Sequence, residues 1–124
     1  MNQILAVAMG GAAGSALRFW MSTWVYSLAG RGFPYGTLAV NVLGSLAMGF
    51  LFVFFTDRFS DSMLLRAGVL IGVLGGFTTF SSFSIETFNL IEQGELLKAL
   101  VNAIASLILC VVATWIGVIL GRQA

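Results

Sequence analysis

The chain has 124 residues, of which 59% are hydrophobic and 9% charged, with a net charge of +1 and a mean hydropathy of +1.00. A soluble domain carries about 25% charged residues, so this composition predicts an all-α integral membrane protein and offers nothing for nucleic acid. One cysteine, Cys110, and no histidine exclude a disulfide framework, a zinc site and histidine-based catalysis.

A transmembrane helix needs about 20 apolar residues, and four such segments are predicted. The first covers residues 4–28. It contains Arg18 and is followed by further spans, so it reads as a retained span and not a cleaved signal peptide. Trp20, Trp24 and Tyr26 near its end read as interface anchors. A short loop at 29–34, with Arg31 and the single proline, leads to a second span over 36–56. A polar loop at 57–62 follows, then a third apolar segment over 63–91, a turn at 92–95 and a fourth span over 96–121. These make one four-helix domain over residues 1–124, in the cell (inner or plasma) membrane. No soluble domain intervenes, so the activity is expected inside the bilayer.

The third segment is too long to cross straight: at ~1.5 Å per residue it would reach ~43 Å, against a hydrocarbon core of ~30 Å. At its middle Gly75-Gly76 is followed by Thr78, Thr79, Ser81, Ser82 and Ser84, interleaved with Phe77, Phe80 and Phe83. Glycine weakens a helix and hydroxyls compete for its backbone hydrogen bonds. Irregular backbone at membrane depth survives only where protein buries it or where it lines a cavity. A helix break near Gly75-Gly76 is therefore predicted, and such a break is a candidate ion or substrate site.

Polar residues recur on the other spans. Thr37, Asn41 and Ser45 lie four apart on the second and share a face. Asn41 serves either an interhelical hydrogen bond or a passing anion, to which an amide offers two N–H donors. Asn102, Ser106, Cys110 and Thr114 repeat the spacing on the fourth span and suggest a lined path. The phenylalanine row is either packing or a set of ring edges, which carry partial positive charge. Glu86, the one acid placed within a span, is either a structural, water-facing carboxylate or a proton-coupling group. Arg18 either snorkels or faces a vestibule, where it would concentrate anions. Small residues four apart (Ala6, Gly10 and Gly14; Gly68, Gly72 and Gly76; Gly117 and Gly121) serve either packing within one subunit or a subunit interface. Arg58, Arg66 and Arg122 fall on the side of the termini, with Arg31, Lys98 and Arg18 toward the other. So even a balance predicts insertion in both orientations, and this much polar surface on four spans predicts a two-fold dimer.

Three ordered motifs, Gly10 through Phe19 with Arg18, Gly36 through Ser45 with Asn41, and Gly75 through Ser84, resemble the Fluc fluoride-channel family, also called CrcB. The similarity covers essentially the whole chain. It implies an antiparallel, dual-topology homodimer of four-helix subunits with the third helix broken mid-membrane. Two pores would pass fluoride out of the cell passively and confer fluoride resistance. By motif, Asn41 is the pore amide, and Phe80 and Phe83 are the aromatic pair lining the path. Arg18 matches the family arginine of the first helix, placed toward a vestibule. Backbone carbonyls of Gly75 and Thr78, two from each subunit, would hold a central structural Na⁺. Ser81, Glu86 and Thr114 belong to a polar track beside the pore, with Thr37 and Ser84 as further hydroxyls on the path. Cys110 departs from the hydroxyl that the fourth-helix stripe would favour. The alternative is a small multidrug-type exporter coupling protons to drug through Glu86. A purely structural subunit and, least of all, an enzyme are the other readings, since no nucleophile–base pair or metal set exists.

Overall fold

A computed structural model describes residues 2–59 and 61–124. Met1, and Ser60 in the predicted polar loop, lie outside them. Four helical stretches are long and apolar enough to cross a membrane, and they make this a multi-pass membrane protein. Helices α1 (Asn2–Ala29) and α2 (Tyr35–Arg58) are continuous. The third stretch is assembled from α3 (Met63–Arg66), a π-helical segment (Ala67–Val73), α4 (Leu74–Phe77) and α5 (Phe80–Glu92). The fourth is α6 (Leu96–Gln123). Gly30 and Gly94, with φ of 84° and 79°, end α1 and α5 in the left-handed conformation that glycine adopts without penalty.

In lipid the hydrophobic effect does not drive helices together, so close van der Waals approach decides which faces meet. The glycine rows supply that approach within the subunit. A side chain at Gly10 or Gly14 on α1 would overlap the backbone of Gly68 or Val73, and one at Gly72 or Gly76 would press on Gly10 or Gly11. Between α2 and α6, Gly49 faces the Thr114 backbone, and Gly117 and Gly121 face the Leu46 and Phe50 backbone. Of the two uses open to the small-residue rows, the structure displays internal packing. Beside these seams Phe55, Leu70 and Leu74 form a buried cluster with Met48, Leu51 and Phe54. The outer faces of α1 and α6 expose Met9, Phe19, Leu107 and Trp115, as a surface in contact with hydrocarbon would.

The third helix breaks near the glycines as expected, two residues beyond them. The helix runs through Gly75 and Gly76 to Phe77, then turns extended at Thr78 (φ −90°, ψ 158°) and Thr79 (φ −152°, ψ 122°). Gly76 is spent on contact with α1, near the Gly11 carbonyl and Ser15, and the chain opens where another group captures the freed peptide. The π-helical turns ahead of the break had no counterpart in the sequence pattern. Tyr26 also departs from expectation. It is 9% exposed, buried among α1, α2 and α5, whereas Trp20 and Trp24 are exposed as anchors would be.

Candidate functional site

The break leaves peptide groups without helical partners, and Asn41 of α2 takes one whole peptide unit's worth. The Thr79 N–H donates to Asn41 Oδ1 at 2.8 Å, and Asn41 Nδ2 donates to the Thr79 carbonyl at 3.0 Å. A backbone donor and a backbone acceptor on one residue fix which end of the amide is oxygen. One N–H of Asn41 is then used and one remains. The side chain of Thr79 caps the restarted helix, its Oγ1 accepting from the Ser82 N–H at 3.2 Å. The N-terminal end of α5, where a helix carries partial positive charge, is thereby held beside Asn41.

These groups open onto a cavity of about 470 Å³ between α2, α5 and α6. Asn41, Ser45, Phe80, Phe83, Ser106, Cys110 and Thr114 line it. Phe80 and Phe83 have ring centroids 5.4 Å apart at 44°, and Phe80 is 77% exposed, so its edge is available. Cys110 faces the cavity. Thr114 spends its hydroxyl proton on the main chain, with the Cys110 carbonyl at 3.0 Å and that of Ser45 at 3.2 Å, and so presents lone pairs inward.

The other residues singled out from the sequence lie elsewhere. Ser81 and Ser84 are exposed on α5, Ser81 Oγ 3.3 Å from Thr79 Oγ1 and Ser84 donating to the Phe80 carbonyl. Thr37 is buried one turn before Asn41. Glu86 borders a second cavity of about 410 Å³ with Tyr26, Arg31, Gln93 and Lys98. Arg18 donates from Nε to the Gly76 carbonyl at 3.0 Å, which compensates a second group freed by the break. Asn102, first of the α6 stripe, turns away from the cavity. It is 1% exposed and donates to Thr87 Oγ1 at 2.8 Å, tying α6 to α5. Tyr26 was missed as a polar contributor, and its 2.7 Å hydrogen bond to Glu86 had no signal in spacing.

Main-chain oxygens are the hard donors that suit Na⁺, as they suit other hard cations. No helical N–H reaches the Gly75 carbonyl, because Thr79 gives its N–H to Asn41, and the Ser82 N–H goes to Thr79 Oγ1 in place of the Thr78 carbonyl. A side chain at Gly75 would meet open space. The donor set therefore fits a monovalent cation in chemistry, while among the described residues no group of acidic, cysteine or histidine side chains could hold a metal.

Residues 5–118 match the family described as CrcB-like protein, Camphor Resistance (CrcB). The chain is 51% identical over 120 residues to a protein of Methylococcus capsulatus, an overlap of 97% of this chain and 53% of that one. It is 50% identical over 121 residues to a protein of Coxiella burnetii, covering 97% and 98% of the two. A protein of Geobacter sulfurreducens is 50% identical over 123 residues, covering 99% of each. All three bear the name fluoride-specific ion channel FluC. The chain thus spans about half of the first relative and nearly all of the other two.

Proposed function

This chain belongs to the CrcB-like family, and we propose that it is a fluoride-selective channel, not an enzyme, that lets F⁻ leave the cytoplasm passively. The observation that carries the reading is the cavity at the helix break, where a spare Asn41 N–H, the start of α5 and the Phe80 and Phe83 rings meet without a lysine or arginine. Fluoride is small and strongly hydrated, so a path for it replaces water with donors. A fixed cation would hold the ion, whereas several weak sites let it move on. The exporter reading loses ground because the Glu86 carboxylate is engaged by Tyr26. The test is efflux from liposomes holding purified protein. Fluoride should leave and chloride should not, and equal rates for the two would end this reading.

The working unit is an antiparallel homodimer with two pores. Support comes from the exposure of Phe80, Ser81 and Ser84 at membrane depth, a surface that one subunit leaves uncovered. Gly75 and Thr78 supply main-chain oxygens to a Na⁺ shared across the two-fold axis, where the ion would tie the two breaks together. An experimental structure of the dimer in sodium should have cation density at its centre. Density there with a water's spacing and number of contacts would refute this.

Phe80→Ile and Phe83→Ile separate ring edges from bulk. Each keeps an apolar side chain of similar kind, a class of swap that usually costs less than about 1.5 kcal/mol in packing. Loss of the edge is expected to slow fluoride at least about tenfold, the effect of ~1.4 kcal/mol on a barrier. Liposome efflux at unchanged dimer elution measures it, and a wild-type rate would return both rings to the packing role.

A further inference from the structure

Between the two cavities lies a polar partition whose Tyr26 and Glu86 stand outside the three motifs. Tyr26 comes from α1, Thr37 from the first turn of α2 and Glu86 from α5. The Tyr26 hydroxyl donates to Glu86 Oε2 at 2.7 Å, and the Thr37 N–H and Oγ1 lie 3.4 Å from the same phenolic oxygen. That Thr37 N–H is one of the orphan donors of a helix start and has no partner within α2. The Tyr26 ring fills the space left by Gly36, where any side chain would overlap it, and the Arg31 guanidinium covers the ring at 4.6 Å. Glu86 Oε1 is buried and has no hydrogen-bond partner among the described residues.

The arrangement is that of an anion seat with an anion in it. One donor, the Tyr26 O–H, faces the carboxylate, and the Thr37 N–H backs it by donating to the phenolic oxygen at the N-terminal end of a long helix. The negative group beside that hydroxyl is a side chain of the same protein. One helical turn, ~5.4 Å, separates Thr37 from Asn41 in the first cavity, and Glu86 opens onto the second. Along α2 and α5 the Tyr26 contact therefore lies about one turn from Asn41 and Phe83 of the first cavity and borders the second. We propose that the Tyr26 hydroxyl, backed by the Thr37 amide, forms a second fluoride seat between the two cavities, which the Glu86 carboxylate fills until an ion displaces it. The unpartnered Oε1 makes that displacement easier, because Glu86 gives up one hydrogen bond and not two. This rests on the channel reading above and adds a residue to it.

Tyr26→Phe removes one oxygen and keeps the ring, its fit to Gly36 and the Arg31 contact. Efflux is measured for wild type, Tyr26→Phe, Glu86→Gln and the double variant. If the hydroxyl touches the ion, Tyr26→Phe should slow fluoride at least tenfold, and should slow it again when Glu86 is already Gln. A Tyr26→Phe rate equal to wild type overturns the proposal. So does an effect that disappears in the Glu86→Gln background, since the hydroxyl would then only position Glu86. Absence of fluoride efflux from wild type would instead remove the channel reading and this proposal with it. An independent readout needs no flux. The chain has two tyrosines, Tyr26 and Tyr35, so 3-fluorotyrosine in a Tyr35→Phe background labels position 26 alone. Its fluorine resonance should shift on titration with fluoride and stay in place with chloride at equal ionic strength. A resonance unmoved by fluoride counts against the seat even if Tyr26→Phe fails to fold.

Discussion

Asn41→Asp is expected to reduce fluoride efflux to the background of empty liposomes. The substitution changes one atom type in a side chain that touches the cavity. Its oxygen toward the Thr79 N–H stays an acceptor, so that bond survives. The other end changes from a donor to an oxygen facing the Thr79 carbonyl, which now receives from Asn41 Nδ2 at 3.0 Å. The spare N–H offered to the cavity is lost, and a negative charge takes its place. Two like charges ~4 Å apart repel by about 4 kcal/mol at an effective dielectric constant of ~20, about a thousandfold in rate. The measurement is efflux beside size-exclusion elution of the same sample. Undiminished efflux from Asn41→Asp would show that the amide only braces the break and that the ion runs elsewhere.

That dual part of Asn41 marks what the sequence leaves out. The spans follow from apolarity alone, because a backbone in lipid closes its own hydrogen bonds and leaves helix as the economical solution. The existence of a break was also legible, in the excess length and the glycine and hydroxyl composition. Its position was legible to within two or three residues, but not the exact residues. Gly75-Gly76 is the weakest helical dipeptide there, yet Gly76 serves the contact with α1, and the chain opens two residues after Gly76, at Thr78 and Thr79, where Asn41 receives the Thr79 N–H and carbonyl. Asn41 and Thr79 are 38 residues apart, and nothing in periodicity ties them. Four-residue spacing placed Asn102 with Ser106, Cys110 and Thr114. Three of these line the cavity, while the first, on the stripe's edge, finds Thr87. A tyrosine near a helix end commonly marks the membrane interface, and Tyr26 instead closes a contact with Glu86 that only the packing of α1 against α2 and α5 creates.

Orientation yields the other large effect. The positive charges are nearly balanced between the two sides, with Arg58, Arg66 and Arg122 against Arg31 and Lys98, Arg18 being held at the helix break, and the positive-inside rule then gives little direction. Arg58 donates to the main-chain oxygen of Ala124, which puts the chain end beside the loop at 57–62 and on its side of the membrane. A cysteine at position 124, in a Cys110→Ser background, should therefore label from both faces in similar amounts. Lysines added to the 57–62 loop should hold that face inside, and expressed alone this protein should lose activity, because two copies of the same orientation cannot pair antiparallel. Coexpression with a partner carrying lysines in the 29–34 loop should restore flux, since one subunit of each orientation is then present. The pair of results separates a damaged subunit from a misoriented one: a damaged subunit would not be rescued by a partner of opposite bias. Full flux from the first lysine-biased protein alone, with labelling from one side only, would mean a parallel assembly. A parallel pair would also lack the two-fold axis in the membrane plane on which a shared Na⁺ between the Gly75 and Thr78 carbonyls depends.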